Sequence, residues 1–361
     1  MLIMGYDGPE IDAHLRTTLA TLQPGGVILF ARNIQEPAQT WRLLRDSQAT
    51  TPVPMFLCVD LEGGTVDRLK NVIAPAPSVR DVFSTGERKL FRTHGQILGL
   101  EARALGFNTD FAPVCDLGLA ASQSVLGQRT ASGNPRDVIV YARECLKGLK
   151  AANVLGCGKH FPGLGEANLD THHELPSINK PWKELWAEDL FPYRELHRQL
   201  PFVMVAHAAY PEVTKDKLPA SLSKKWMKEV LRRKIGFRNL IISDDLEMGG
   251  VLAAGPIEEV SVETLRAGAD MFLVCHNQEL VWRGYEAVLR EAEKDRKFAA
   301  HVAEAARRVM TLKRRSAALR NFAREPREKV INKLKQIVEE FAQIVAGDGL
   351  EQTPAARAER A

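Results

Sequence analysis

A chain of 361 residues, 45% hydrophobic and 26% charged, has the balance of a soluble globular protein and is long enough to build its core without disulfides or a structural metal. Lys plus Arg exceed Asp plus Glu by 49 − 45 = 4, and the basic residues are spread along helical stretches without interleaved aromatics, which argues against a nucleic-acid partner. No apolar run approaches the roughly 18 residues of a membrane span, and residues 1–7 carry neither a basic region nor a small-residue cleavage site, so a cytoplasmic protein without a membrane partner is expected.

Eight short apolar runs, bounded by Gly, Pro and Asp, read as strands at 2–7, 26–31, 55–60, 108–116, 154–160, 202–207, 239–244 and 270–276. Several are continuous in Val, Ile, Leu and Phe, as in parallel strands buried on both faces. Helical patterns fill the gaps, among them 39–48, 87–105, 136–151, 224–235 and 258–267. This alternation predicts an α/β fold, a single-domain (β/α)8 TIM barrel over 1–320. An open doubly wound sheet is the alternative, but the first strand is not followed by G-x-G-x-x-G. Two further helical stretches reach about Arg320. A C-terminal helical extension over 321–346 places Val330, Ile331, Leu334, Ile337, Val338, Phe341 and Ile344 on one face, for docking on the barrel or a weak dimer contact. The tail, 347–361, is polar and is expected to be disordered. Cys58, Cys115, Cys157 and Cys275 fall in the apolar runs and read as core filler.

Asp7, Asp60, Asp116, His160, His207, Asp244 and His276 lie at or just beyond the C-terminal ends of the predicted strands. Barrel active sites are built at that face from several strands. The fifth strand feeds Lys159-His160-Phe161-Pro162-Gly163-Leu164-Gly165 and then Asp170-Thr171-His172. A turn there lets the Asp170 carboxylate bond one imidazole nitrogen of His172, fixing the tautomer and favouring the protonated ring. Such a pair donates and later removes a proton. Ser243-Asp244-Asp245 ends the seventh strand, and Asp244 is a candidate nucleophile for a sugar carbon. Strand alternation turns Asp245 elsewhere. Asp60 and Glu62, beside Gly63-Gly64, suit hydrogen bonds to hydroxyls, although the glycines also fit an ordinary tight turn. Arg129 is a candidate polar clamp.

These segments, together with Pro24–Asn33, Ala206-His207, Pro219–Ser223 and Gly236-Phe237, resemble glycoside hydrolase family three, in particular its single-barrel β-N-acetylhexosaminidases. The match spans nearly all of residues 2–315. The resemblance implies Asp244 as nucleophile, His172 as acid/base and Asp170 as its orienting partner. It implies that Asp60, Arg129, Lys159 and His160 hold an N-acetylglucosamine ring, with His207 lining the site. It further implies a retaining mechanism, no metal and no cofactor, and a carbohydrate substrate: β-linked N-acetylglucosamine on anhydromuramic-acid peptides or similar wall fragments. Two positions depart from the family's common pattern, Leu164 in place of His and Thr65 in place of Arg. Neither carries the proton transfer or the nucleophilic step, so activity is expected to survive.

Four other readings compete. A barrel retained only as a binding or scaffold protein predicts loss of Asp244 or His172, and both are present. A metal-dependent barrel hydrolase lacks the H-x-H of such enzymes on its first strand, and His172 and His173 point apart. A two-carboxylate glycosidase takes Glu62 or Glu247 as its acid. A phosphorylase passes the glycosyl group to phosphate, which a histidine base repels less than a carboxylate does.

Overall fold

The computed structural model describes residues 1–167 and 175–347. Strands β1 (Leu2–Met4), β2 (Gly26–Leu29), β3 (Phe56–Val59), β4 (Thr109–Asp110), β5 (Leu155–Phe161), β6 (Phe202–Val205), β7 (Leu240–Asp245) and β8 (Met271–Val274) pair in parallel in chain order, and β8 closes on β1. The fold is therefore the closed (β/α)8 barrel, and the open sheet is excluded. All eight strands fall within or overlap the predicted runs but are mostly shorter. The fourth shrinks most, from 108–116 to two paired residues, with an isolated bridge from Val114 to Lys159 just past Pro113, which has no N–H to give to a ladder.

Around the barrel lie α1 (Ala13–Leu22), α2 (Pro37–Gln48), α3 (Arg88–Ala104), α4 (Pro135–Ala151), α5 (Phe191–Leu196), α6 (Lys225–Ile235) and α7 (Ile257–Ala267). They are followed by α8 (Gln278–Lys294), α9 (Arg296–Arg315) and α10 (Glu328–Ala346). Several begin on the side chains that the sequence supplies for the purpose. Asp12, Asn134, Asn277 and Asp295 accept backbone N–H groups of the first turn, which otherwise have no partner.

The strands bury both faces, and their side chains sort by period two. Ile3, Ile28, Phe56, Cys58, Cys157, Phe202, Met204, Leu240, Ile242, Met271 and Leu273 fill the barrel interior. Leu2, Met4, Val27, Leu29, Leu57, Val59, Val203, Val205, Ile241, Phe272 and Val274 pack outward against the helices. Phe56 and Phe202 meet edge to face at 5.0 Å in the middle. The N-terminal end is plugged by Val309, Leu312, Ala318 and Leu319, with the buried Lys313 ammonium on the Gly25 carbonyl at 2.7 Å. The cysteines are buried and unpaired, as core filler should be.

The C-terminal helix α10 packs against α3. Ile331, Leu334, Val338 and Phe341 of α10 are buried, and the Phe341 ring stacks on His94 of α3. Val330 and Ile344, at the edges of the stripe, stay 47% and 48% exposed. No described helix is long and apolar enough to cross a membrane.

Candidate active site

A cleft of about 170 Å³ opens at the C-terminal end of the barrel. Asp60 beyond β3, Lys159 and His160 on β5, Asp244 on β7, His276 beyond β8 and Arg129 from the loop before α4 all reach it. These come from widely separated parts of the chain, brought together only by barrel closure.

One wall is a buried charge network. Lys159 Nζ lies 2.7 Å from Asp60 Oδ1 and 2.6 Å from Glu62 Oε1. Arg129 forks onto Glu62 through Nε at 2.8 Å and Nη2 at 2.9 Å. Burial alone would raise the Glu62 carboxyl, but Arg129 and Lys159 hold it far below the usual carboxylate range. Burial likewise opposes the Lys159 ammonium, and Asp60 and Glu62 reverse that shift upward. Glu62 is thus an anchor clamped by two cations that favour its ionised form, which argues against it as the acid of a two-carboxylate glycosidase. Glu247 is also committed elsewhere, accepting the backbone N–H groups of His276 and Asn277.

A second anchor holds β5. Asp116 accepts from the His160 ring at 2.7 Å, from the His160 N–H and from the Leu164 N–H at 2.8 Å. With Nδ1 bonded to a carboxylate, His160 is fixed in orientation, and its remaining ring edge faces the cleft. Asp116 is therefore buried support and does not line the cleft.

Asp244 stands at the end of β7. Burial would raise its carboxyl, yet His160, His207, the Asp245 N–H and Lys159 outweigh this and lower it. The Asp245 N–H donates to Asp244 Oδ1 at 2.8 Å. His207 does not line the cleft, contrary to the expected role. It is fully buried behind Asp244, bonded to Ser221 Oγ at 2.7 Å and to the Asp245 carbonyl at 2.9 Å. Asp7 is exposed and outside the cleft. Asp170 and His172 lie outside the described residues. On either side of 168–174, Glu166 and Lys180 are joined at 3.3 Å, and the buried Lys180 also meets Glu188 at 2.6 Å and Asp189 at 2.8 Å.

Asp245 overturns the alternation argument: it lines the cleft beside Asp244. Opposite β8, Met271 pairs with Ile242 but Leu273 with Asp245, so three residues of β7 span two of β8. A bulge of that kind re-aims the side chains after it. Burial, then Glu247 and Asp244, push the Asp245 carboxyl up to about 8, with His276 Nε2 at 3.4 Å. An unfolded Asp titrates near ~3.9, so the folded chain retains a proton over that interval and stability falls as pH rises from there to about 8. Asp245→Asn should accordingly raise the melting temperature more at pH 9 than at pH 5. Equal shifts at both values in thermal melts would remove Asp245 as the buried acid.

The segment after β3 contributes a residue that the sequence left without a role. Leu61–Gly63 and Val66–Asp67 form a two-stranded ribbon. Gly63 and Gly64 have φ of +80° and +60°, and a Cβ on Gly63 would lie 2.2 Å from the Pro77 carbonyl oxygen. The glycines thus serve an ordinary tight turn. The ribbon folds Arg68 back into the cleft, over Phe30 at 5.8 Å, and its buried Nε has no hydrogen-bond partner among the described residues. Thr65 is exposed at the turn, whereas Leu164 places an apolar side chain in the cleft wall.

Comparison with known proteins agrees with this geometry. The sequence model of the glycosyl hydrolase family 3 N-terminal domain matches residues 3–312. A β-hexosaminidase of Bordetella avium is 39% identical over 71% of this chain and 75% of its own length, and one of Tolumonas auensis 37% over 77% and 83%. Among solved structures, a family 3 β-N-acetylglucosaminidase from Paenibacillus superposes with a TM-score of 0.89 at 31% identity, covering 95% of this chain. This chain spans 66% of that longer one. NagZ from Neisseria gonorrhoeae superposes with a TM-score of 0.77 at 28% identity, covering 94% of this chain and 97% of its own.

Proposed function

The chain belongs to glycosyl hydrolase family 3 and is a glycoside hydrolase, and from that premise we propose that it removes β-linked N-acetylglucosamine with retention, through a covalent sugar ester on Asp244. The supporting observation is the Asp244 carboxylate, held ionised at a strand end in a cleft whose opposite wall is the Asp60–Lys159–Glu62–Arg129 network. Asp60, Lys159, His160, Arg129 and Arg68, whose Nε lacks a hydrogen-bond partner among the described residues, hold the ring and its N-acetyl group. Asp244 attacks C1 as the glycosidic C1–O bond breaks, and His172, oriented by Asp170, gives its proton to the departing oxygen. His172 then takes a proton from water, which attacks C1 and frees Asp244. The glycosides of choice are anhydromuramic-acid peptides and similar wall fragments, met in the cytoplasm. Catalysis belongs to 1–320, with 321–346 as an extension, in a monomer or weak dimer.

Asp245 is the rival acid, because it remains protonated near neutral pH beside Asp244. His172→Ala should slow poorly activated glycosides far more than nitrophenyl ones, since only the former need a proton on the leaving oxygen. Equal slowing of both classes, or that leaving-group pattern in Asp245→Asn instead, transfers the role away from His172.

Phosphate as the acceptor is the second reading, favoured by Arg68, Arg129 and Lys159 around the cleft. Product analysis on an aryl β-N-acetylglucosaminide, with and without phosphate, separates the two. Free N-acetylglucosamine in both cases is expected. N-acetylglucosamine 1-phosphate as the main product would make the chain a phosphorylase. No cleavage would overturn the sugar assignment.

A further inference from the structure

At the opposite end of the barrel from Asp244, a recess of about 470 Å³ lies between α6, α9 and the turns that lead into β7 and β8. Its volume is within the ~300–1,000 Å³ of small-molecule sites. Lys228, Arg232, Arg233, Arg238 and Arg308 line it, and Glu304, the acidic side chain in its wall, is ion-paired with Arg308. A chain with a net charge of only +4 has gathered five cations around one hollow.

The cations fall into two groups. Arg232 and Arg308 are held from below by the fully buried Asp270, which takes Arg232 Nη2 on one oxygen and Arg308 Nε, at 2.5 Å, on the other. Arg232 also donates to the carbonyls of Phe237 and Asn239, at 3.1 and 2.6 Å. Both guanidinium groups are thus oriented before any ligand arrives. Lys228, Arg233 and Arg238, in contrast, have no ion-pair or hydrogen-bond partner among the described residues. Burial and the nearby Lys224, Arg308 and Arg233 push the Lys228 ammonium down against the pull of Glu304, so negative charge is in short supply there.

We propose that this recess binds the diphosphate group of a soluble small molecule. Pre-oriented guanidinium groups supply directional hydrogen bonds to phosphate oxygens, and Lys228, Arg233 and Arg238 supply the remaining charge. The five cations face the two carboxylates of Asp270 and Glu304, which leaves more positive charge than a single phosphate offsets. The hollow shape favours a compact soluble ligand over a flat lipid surface. Nothing in the hydrolytic cycle uses these residues, and the ligand would not compete with the sugar.

Titration calorimetry with sodium pyrophosphate at fixed ionic strength tests this on the full chain. One site is expected, weakened at least tenfold in the Arg233→Ala/Arg238→Ala variant and unchanged when N-acetylglucosamine fills the catalytic cleft. Both substituted residues are exposed, so the variant should fold, and its glycosidase activity should match that of the unaltered chain. Four results would overturn the proposal. They are affinity unaltered by the double substitution, equal binding of sulfate, loss of binding in the presence of the sugar, and binding to phosphatidylglycerol vesicles without binding to pyrophosphate.

Discussion

Asp244→Asn should lower turnover of an aryl β-N-acetylglucosaminide by on the order of 10⁴–10⁶-fold while leaving the fold intact, the scale seen when a nucleophile is removed from an otherwise complete site. Asparagine has the same shape, and its Oδ1 still accepts the Asp245 N–H that holds the native carboxylate. What it lacks is the charge that His160 and His207 favour and the electron pair that closes on C1. The melting temperature should therefore change little while turnover collapses. A variant retaining more than a few per cent of activity would place the nucleophile elsewhere.

The second large effect is expected at Glu62, which touches no substrate in this account. Glu62→Gln removes the charge that both Arg129 and Lys159 require in a buried setting. Breaking a buried ion pair from one side costs about 3–5 kcal/mol, because the partner is left uncompensated. At this chain length that corresponds to a fall of about 4–7 °C in melting temperature. Arg129 would also lose its fork and its position, and misplacement on the ångström scale costs on the order of 100-fold in rate. The pH dependence supplies a check on cause. A carboxyl with a depressed folded value contributes stability above its unfolded pKa of ~4.3 and loses it as pH falls toward the folded value. The gap between the variant and the native chain should therefore narrow below about pH 4. A gap that stays constant would point to packing instead of charge.

The barrel was legible because its strands are continuous apolar runs and because polar residues recur at their C-terminal ends. Asp60, Lys159, His160 and Asp244 could be assigned to one cleft before any coordinates, since a strand end fixes a side chain's place with little help from the rest of the chain. What failed depended on neighbours that are distant in sequence. His207 has the same strand-end position, yet Ser221 and the Asp245 carbonyl claim both of its ring nitrogens, and nothing local reveals that. Asp245 was turned the wrong way because alternation presumes a regular ladder, and the bulge opposite β8 is a property of two strands together. Arg68 was passed over because only the ribbon's fold-back carries it to the cleft. A Gly-Gly turn shortly before an arginine was the available signal. Arg32 and Asn33 matched a family pattern without a visible reason. They stitch strand ends together, Arg32 through the carbonyls of Tyr6 and Cys275 and Asn33 through those of Tyr6 and Gly8.

The central claim is a covalent sugar ester on Asp244, and trapping that ester tests it most directly. A 5-fluoro-β-N-acetylglucosaminyl fluoride slows the second step more than it slows the first, so the glycosyl-enzyme should accumulate. Peptide mass spectrometry after proteolysis should then find one sugar residue, carried by Asp244. A label on Asp245, Glu247 or Glu62 would contradict the account, as would an unlabelled chain that still cleaves an aryl β-N-acetylglucosaminide.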